Sequence, residues 1–353
     1  MILGHDKVVE SLQRHTKELA LPNGRMVGST GHFLTRGYLV KQMETAQMIP
    51  FHGSSFELRY ERPHPNTREQ QEFTNLVGVI PGKDRTLPPI LLGAHYDSVI
   101  AAPSVDDNAT SVAMNLVLTE EYRQRPLDRD LIIAYFDAEE LPFFLGESMG
   151  SRRFCEDYCL DLKFAAVIVS DLIGHDFHPA DLGLPSILGT VMPHMRKLVC
   201  VMGAESSPAF PSIVSNAAGR AKGIRVFHLL HRYVPNMSDH AAFAKAGHPF
   251  LFLSCGQGRH YHSPQDTLEW INFGKLGRIT HYVADLIDQI NGTPSTPPQP
   301  LDDQELFDLE MEMLREALGV TLPMALKHFK KKLPTSRDEL DAMLSNSLKD
   351  AIR

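Results

Sequence analysis

From about Ile90 onward the chain alternates between short uninterrupted apolar runs and longer stretches with helical spacing. The apolar runs are Ile90–Ala94, Leu131–Phe136, Phe164–Val169 and Phe250–Ser254. Between them, Thr110–Tyr122 repeats apolar residues at Val112, Leu116 and Val117 and stops before Pro126, and Phe273–Ile290 repeats the pattern. A strand with one buried face alternates polar and apolar residues, whereas a run apolar throughout is buried on both faces. Strands of that kind alternating with helices predict a largely parallel sheet covered on both sides. Upstream, the pattern predicts helices over Val8–Leu21 and Thr35–Met48, separated by a glycine-punctuated loop at Gly24–Gly31. Strands follow at Ser55–Tyr60 and at Thr74–Ile80, the second ending in the turn Pro81-Gly82.

At Gly292–Pro300 the composition turns proline-rich and linker-like. Residues 1–291 therefore form one α/β domain and 301–353 an extension. The extension predicts a helix over Leu301–Leu318, with Leu306, Leu309, Met313 and Leu314 on one stripe, and a second over Arg337–Ile352. It is too small for a core of its own. It is expected to pack on the main domain or on another subunit, as a homo-oligomer contact.

Composition narrows the picture further. With 353 residues, 43% of them apolar, the chain can bury a large core. A formal charge of −8 gives no electrostatic reason to expect nucleic acid or an anionic membrane as partner. No apolar stretch has the length of a membrane span, and Met1–Lys7 has no basic stretch leading into an apolar one. The expectation is a cytoplasmic protein. Four cysteines are no disulfide framework; Cys155 and Cys159 share a face of a predicted helix and read as packing groups.

The candidate chemistry sits where the apolar runs end. His95, Asp107, Glu140, Asp171 and His262 follow such runs in order. Loops at the carboxyl ends of strands in an open α/β sheet converge on one crevice, which brings residues distant in sequence together. Two histidines and three carboxylates make a nitrogen-and-oxygen set suited to a pair of zinc ions. Asp107 has two free oxygens with which to bridge two cations. Asp97, two residues past His95, is placed to hold the other ring nitrogen of that histidine. Glu139 stands beside Glu140, where a general base is wanted. Each element alone has an ordinary explanation as a turn, cap or solvated surface pair; the agreement in order is what carries the reading. No Gly-x-Ser-x-Gly elbow offers a serine nucleophile. His175, His178, His228, His231 and Tyr233 read as polar loop or pocket residues rather than ligands. Lys327–Lys332, a basic run in an acidic chain, reads as a solvated face.

These segments also resemble a known family. Arg25–Ser29, Asn75–Gly82, Gly93–Ser98, Asp106–Ala109, Phe136–Glu140, Ser238–His240 and Tyr261–Thr267 are similar to motifs of the co-catalytic zinc aminopeptidases, a superfamily that includes glutamate carboxypeptidases and glutaminyl cyclases. The resemblance covers about residues 20–290. It implies a three-layer α/β fold with a mixed, mostly parallel central sheet flanked by helices, followed here by a helical tail. It implies two zinc ions bridged by Asp107, one completed by His95 and Asp171, the other by Glu140 and His262. Glu139 matches the general base, Asp97 a carboxylate behind the ligands, and Asp239 a further acid near the site. The implied substrate is a peptide with a free N-terminus. In one departure, Ser104-Val105 stand where a glycine usually precedes the Asp-Asp pair. Two rivals remain: a cyclase with one zinc, held by Asp107, Glu140 and His262, and a non-catalytic binding protein on the same fold.

Overall fold

The computed structural model describes residues 4–178, 193–233, 236–294, 301–319 and 332–342. A mixed sheet runs through the main domain. Its strands are β1 (Ile49–Pro50), β2 (Glu57–Pro63), β3 (Gln70–Ile80), β4 (Ile90–His95), β5 (Leu131–Phe136), β6 (Ala166–Ser170), β7 (Leu198–Met202), β8 (Arg225–Leu229) and β9 (Phe250–Ser254). Their order across the sheet is β1-β3-β5-β4-β6-β9-β7-β8, with β2 pairing β3 outside that path. The centre, β5-β4-β6-β9, is parallel, whereas β3 and β7 join it antiparallel. The four strands of that centre are buried at every position, as their unbroken apolar runs require.

Helices α1 (His5–Leu19), α3 (Thr110–Gln124), α5 (Phe210–Arg220) and α7 (Phe273–Asn291) give residues such as Leu12, Val117, Val214 and Ile287 to the larger core on one face. Helices α4 (Gly150–Tyr158) and α6 (His240–Lys245) pack Phe154 and Phe243 onto the other. Helix α2 (Thr30–Thr45) begins at Ser29, whose side chain accepts from the His32 amide. It starts five residues before the position the periodicity marks. Cys155 and Cys159 lie buried in and just after α4.

The sequence pattern leaves β1, β7, α5, β8 and α6 without a signal. A two-residue strand and a six-residue helix are too short for a period to show; β7, β8 and α5 are no shorter than elements the pattern does mark. Among the described residues no helix is long and apolar enough to cross a membrane.

The extension folds back on its own chain. Helix α8 (Asp303–Leu318) opens with a capping box between Asp302 and Glu305 and lies along β8, the edge strand. That covers backbone groups an open sheet edge would otherwise expose. The stripe is rotated from the expected one: Phe307, Glu310, Met311, Met313 and Ala317 are buried, while Leu306, Leu309 and Leu314 are half-buried. The burial that motivated an oligomer contact is thus met within one chain. Residues 337–342 begin the second predicted helix; its remainder, residues 295–300 of the linker and most of the basic run lie outside the described residues. Because Met313 joins the larger core, Met313→Ala should destabilise the whole domain by about 2–4 kcal/mol. Urea unfolding should show one transition, moved to lower denaturant with an unchanged slope; an unmoved midpoint would mean that the helix docks without supporting the body.

Candidate metal centre

The carboxyl ends of three central strands converge on one cluster. His95 ends β4, Glu139 and Glu140 follow β5, and Asp171 follows β6. Asp107 comes from the turn Val105–Ala109 that leads into α3, and His262 from the loop after β9. All but His262 are buried to within a few per cent, and His262 is half-buried.

The Asp107 carboxylate is divided between two imidazoles. Its Oδ1 lies 3.3 Å from His95 Nε2 and its Oδ2 lies 3.3 Å from His262 Nε2. His95 Nε2 is also 3.6 Å from Asp171 Oδ1, and His262 Nε2 is 3.2 Å from Glu140 Oε2. Two sets, His95 with Asp107 and Glu140, and His95 with Glu139 and Asp171, each bring one ligand atom per residue within 4.8 Å of the others. His95 Nε2, Asp107 Oδ2, Glu140 Oε1, Asp171 Oδ1 and His262 Nε2 have no hydrogen-bond partner in the protein. Buried polar atoms left this way are costly unless something outside the protein satisfies them. The donor set fits divalent cations that take nitrogen and oxygen ligands.

The electrostatics agree. Burial pushes the Glu139 carboxyl well above its ordinary range, with Glu140, Asp171 and Asp239 adding to it against an opposing pull from His95. Burial and then Asp107 raise Glu140 to about 8, and burial raises Asp171. Burial would lower the two histidines, but the carboxylates around them overcome it, taking His262 to about 10 and His95 well above its usual value. Burial would raise Asp107, but His262 and His95 outweigh it and hold its carboxyl below the usual range. The cluster thus draws in positive charge, as protons when nothing else supplies it.

A supporting shell fixes each part. Asp97 accepts from the backbone amides of Glu139 (Oδ1, 3.1 Å) and Glu140 (Oδ2, 3.1 Å), and its Oδ1 lies 3.4 Å from His95 Nδ1. It therefore positions three of the candidate residues at once. Asp266, four residues past His262, accepts from the amides of Asp106 and Asp107 and ties the His262 loop to the Asp107 turn. Arg25 is fully buried and donates to the carbonyls of Leu19, Tyr96, Pro103, Ser104 and Asp107. Burial lowers its pKa, and Asp107, Asp266, Asp97 and Glu140 oppose that. Gly174 is required by close approach, since a Cβ there would sit 2.6 Å from Thr110 Cγ2 and 2.8 Å from Asp106 Oδ1. Ala138, Leu172 and His262 have φ of 55°, 54° and 53°. Left-handed backbone at non-glycine residues costs about 1–3 kcal/mol each, and such strain gathers at functional sites.

The remaining sequence candidates fall elsewhere. His175 Nδ1 pairs with Asp106 Oδ2 at 2.5 Å, and both His175 and His178 line a neighbouring cavity of about 260 Å³. Tyr233 hydrogen-bonds Asp341 and accepts from Arg337 in the extension, so its hydroxyl is committed away from the cluster. His228 is buried on the sheet face opposite Phe227 and Leu229, and His231 packs edge-on against His240. Asp239 is wholly buried beside the cluster; burial raises it to about 7. The roles of Arg25 and Asp266 are not legible from sequence. Both lie inside recognisable motifs, yet neither bears on the cluster except through backbone that only the fold brings near.

A mixed sheet flanked by helices on both faces is the fold of the M28 aminopeptidase and glutaminyl cyclase superfamily. The chain belongs to peptidase family M28, whose family model matches residues 75–287. It is 24% identical over 216 residues to the uncharacterized protein YfbL of Escherichia coli, a match covering 57% of this chain and 66% of that one. It is 23% identical over 265 residues to leucine aminopeptidase 1 of Colletotrichum graminicola, covering 67% and 58%. The chain thus spans less than two thirds of each of these relatives. Among solved structures, Macrostomum lignano glutaminyl cyclase superposes with a TM-score of 0.65 at 18% identity, over 83% of this chain and 92% of that one. A leucine aminopeptidase precursor from Bacteroides thetaiotaomicron gives 0.59 at 14% identity, over 81% and 97%. At such identities the likeness is one of fold.

Two predictions follow from the geometry. Arg25→Met leaves five carbonyls without their donor and should cost at least about 3 kcal/mol, read from urea unfolding. In metal-free protein, Glu140 at about 8 and His262 at about 10 both exceed their unfolded values. The stability they contribute is complete below the unfolded values and is lost as pH rises through the folded ones. Chelator-treated protein should therefore lose unfolding free energy between pH 5 and 10, and added zinc should restore it at the alkaline end. A pH-independent midpoint that zinc leaves unmoved would contradict this account.

Proposed function

We propose that the chain is a zinc aminopeptidase that removes residues from the free N-terminus of a peptide. The observation that carries this reading is the division of Asp107 between His95 and His262, which pairs two ligand groups around one carboxylate. One ion would be held by His95, Asp107 and Asp171, the other by Asp107, Glu140 and His262. Bound there, zinc supplies polarisation of the substrate carbonyl and acidification of a water. Glu139 lines one cavity with Asp107, Glu140, Asp171 and His262, and its backbone amide is held by Asp97. It takes the water proton as the water oxygen bonds to the carbonyl carbon. It then delivers that proton to the departing nitrogen as the C–N bond breaks, leaving an acid and an amine. A raised carboxyl is suited to both halves of that cycle near neutral pH.

The second reading is a glutaminyl cyclase with one zinc on Asp107, Glu140 and His262. The cyclases among the structural neighbours favour it. The pairing of His95 with Asp171 across a shared space favours two ions instead.

Zinc per chain by elemental analysis, with a panel of aminoacyl amides, separates them. About two zincs and release of free amino acids support the aminopeptidase; one zinc and cyclisation of N-terminal glutamine support the cyclase. Glu139→Gln should lower kcat by about 10²–10⁴-fold while zinc content holds. Turnover that survives the change would remove Glu139 from the mechanism.

A further inference from the structure

Beyond the cluster the sheet carries an apolar face of unusual accessibility. Across β9, β7 and β8 the pairings align two rows on one face, Ser254–Cys200–Phe227 and Phe252–Met202–Leu229. Val199, Val201, Val226, Leu251 and Leu253 alternate to the other face, inside the larger core. On the first face Cys200, Phe227 and Leu229 are only half-buried, and the rows line a cavity of about 540 Å³. Asp107, Glu139, Glu140, Asp171 and His262 line the same cavity, so it opens directly onto the cluster.

Strand order sets its direction. From Asp171 at the end of β6, the sheet runs through β9 and β7 to Leu229 on β8, three strand spacings or about 14 Å. Among the described residues, the only charged side chains lining it are those of the cluster. Cavities of about 300–1,000 Å³ enclose whole small ligands rather than single side chains.

The extension stands behind the far end. Phe177, Leu198 and Phe227 of the cavity wall pack with Ala317 of α8. Arg225, on β8, donates to the carbonyls of Glu316 (2.7 Å) and Ala317 (3.1 Å). Glu310 accepts from the Leu230 amide, and Asp341 accepts from Arg232 and Tyr233. Those bonds hold the segment that precedes Asn236 and Met237, both of which line the cavity.

We propose that this cavity takes the acyl-side substituent of the substrate amide, that it holds an apolar chain longer than a leucine side chain, and that the C-terminal extension sets its far end. The inference rests on the hydrolase reading of the cluster. An α-amino acid with a long apolar side chain and a plain fatty acyl group offer the same chain to the wall. They differ only in the amine at the cluster end.

The test is kcat/KM of the zinc-supplemented full chain on the 4-nitroanilides of alanine, leucine, 2-aminooctanoic and 2-aminodecanoic acid, beside fatty-acyl anilides without the amine. Efficiency should rise from alanine past leucine to the eight-carbon member by about tenfold per step, the worth of added methylenes in an apolar pocket. The amine-bearing and amine-free series tell which source of the chain is used. Leu229→Trp, at the far end, should lower the ratio of long-chain to leucine efficiency by about tenfold. Ala317→Trp, acting through Phe177, Leu198 and Phe227, should lower it in the same direction. Circular dichroism and the unfolding midpoint verify the fold of each variant. Should the tryptophan variants fail to fold, Leu229→Ala should move the optimum to a longer chain. Efficiency that is flat or peaks at leucine, or folded variants that leave the ratio unchanged, would overturn the proposal. Hydrolysis of none of the anilides would instead overturn the reading of the cluster on which it rests.

Discussion

Burying several carboxylates beside two imidazoles is the constraint around which this protein is arranged. Asp97, Asp107, Glu139, Glu140 and Asp171, all buried, surround the buried His95 and the half-buried His262. Like charges at these distances in a poorly screened interior repel strongly. Burial first, and then this repulsion, push Glu139, Glu140 and Asp171 toward protonation and the carboxylates push the two histidines toward charge, while the two histidines hold Asp107 ionised. Such a cluster costs stability unless positive charge enters it, and several of its buried atoms have no protein partner to relieve that cost.

The scaffold around the cluster is correspondingly rigid. Asp97 fixes the amides of Glu139 and Glu140, Asp266 those of Asp106 and Asp107, and Arg25 the carbonyls on either side of the Asp107 turn. Each of these bonds joins segments far apart in the chain. The charge of Arg25 is itself uncomfortable when buried, and it is offset by the same carboxylates whose loop it holds. Support and site are therefore one electrostatic system, in which a change to any of these partners reaches the ligand atoms through backbone position.

The outer half of the sheet serves a different end. Where β7 joins β9 antiparallel and β8 follows, one face packs into the core while the other stays accessible and apolar. A sheet edge of this kind invites pairing with other strands. Helix α8 occupies that edge and buries Met313 and Ala317 in doing so. The segment that composition marks as an appendage is thus a structural part of the domain.

Much of this was legible before any coordinate. The unbroken apolar runs at β4, β5, β6 and β9 declare strands buried on both faces, because only such strands can do without polar alternation. The rule that loops converge at the carboxyl ends of parallel strands then suffices to group His95, Asp107, Glu140, Asp171 and His262. The chain's order of residues could not disclose how Asp107 apportions its two oxygens, since that depends on the approach of loops 155 residues apart. The two-residue β1 and the six-residue α6 are too short to carry a period. The stripe of α8 came out rotated because its burial is decided by the shape of β8 and α5 beside it, not by its own spacing. Local pattern determined which segments are buried and which residues can do chemistry; contacts between distant segments decided how those residues share charge and what space opens beside them.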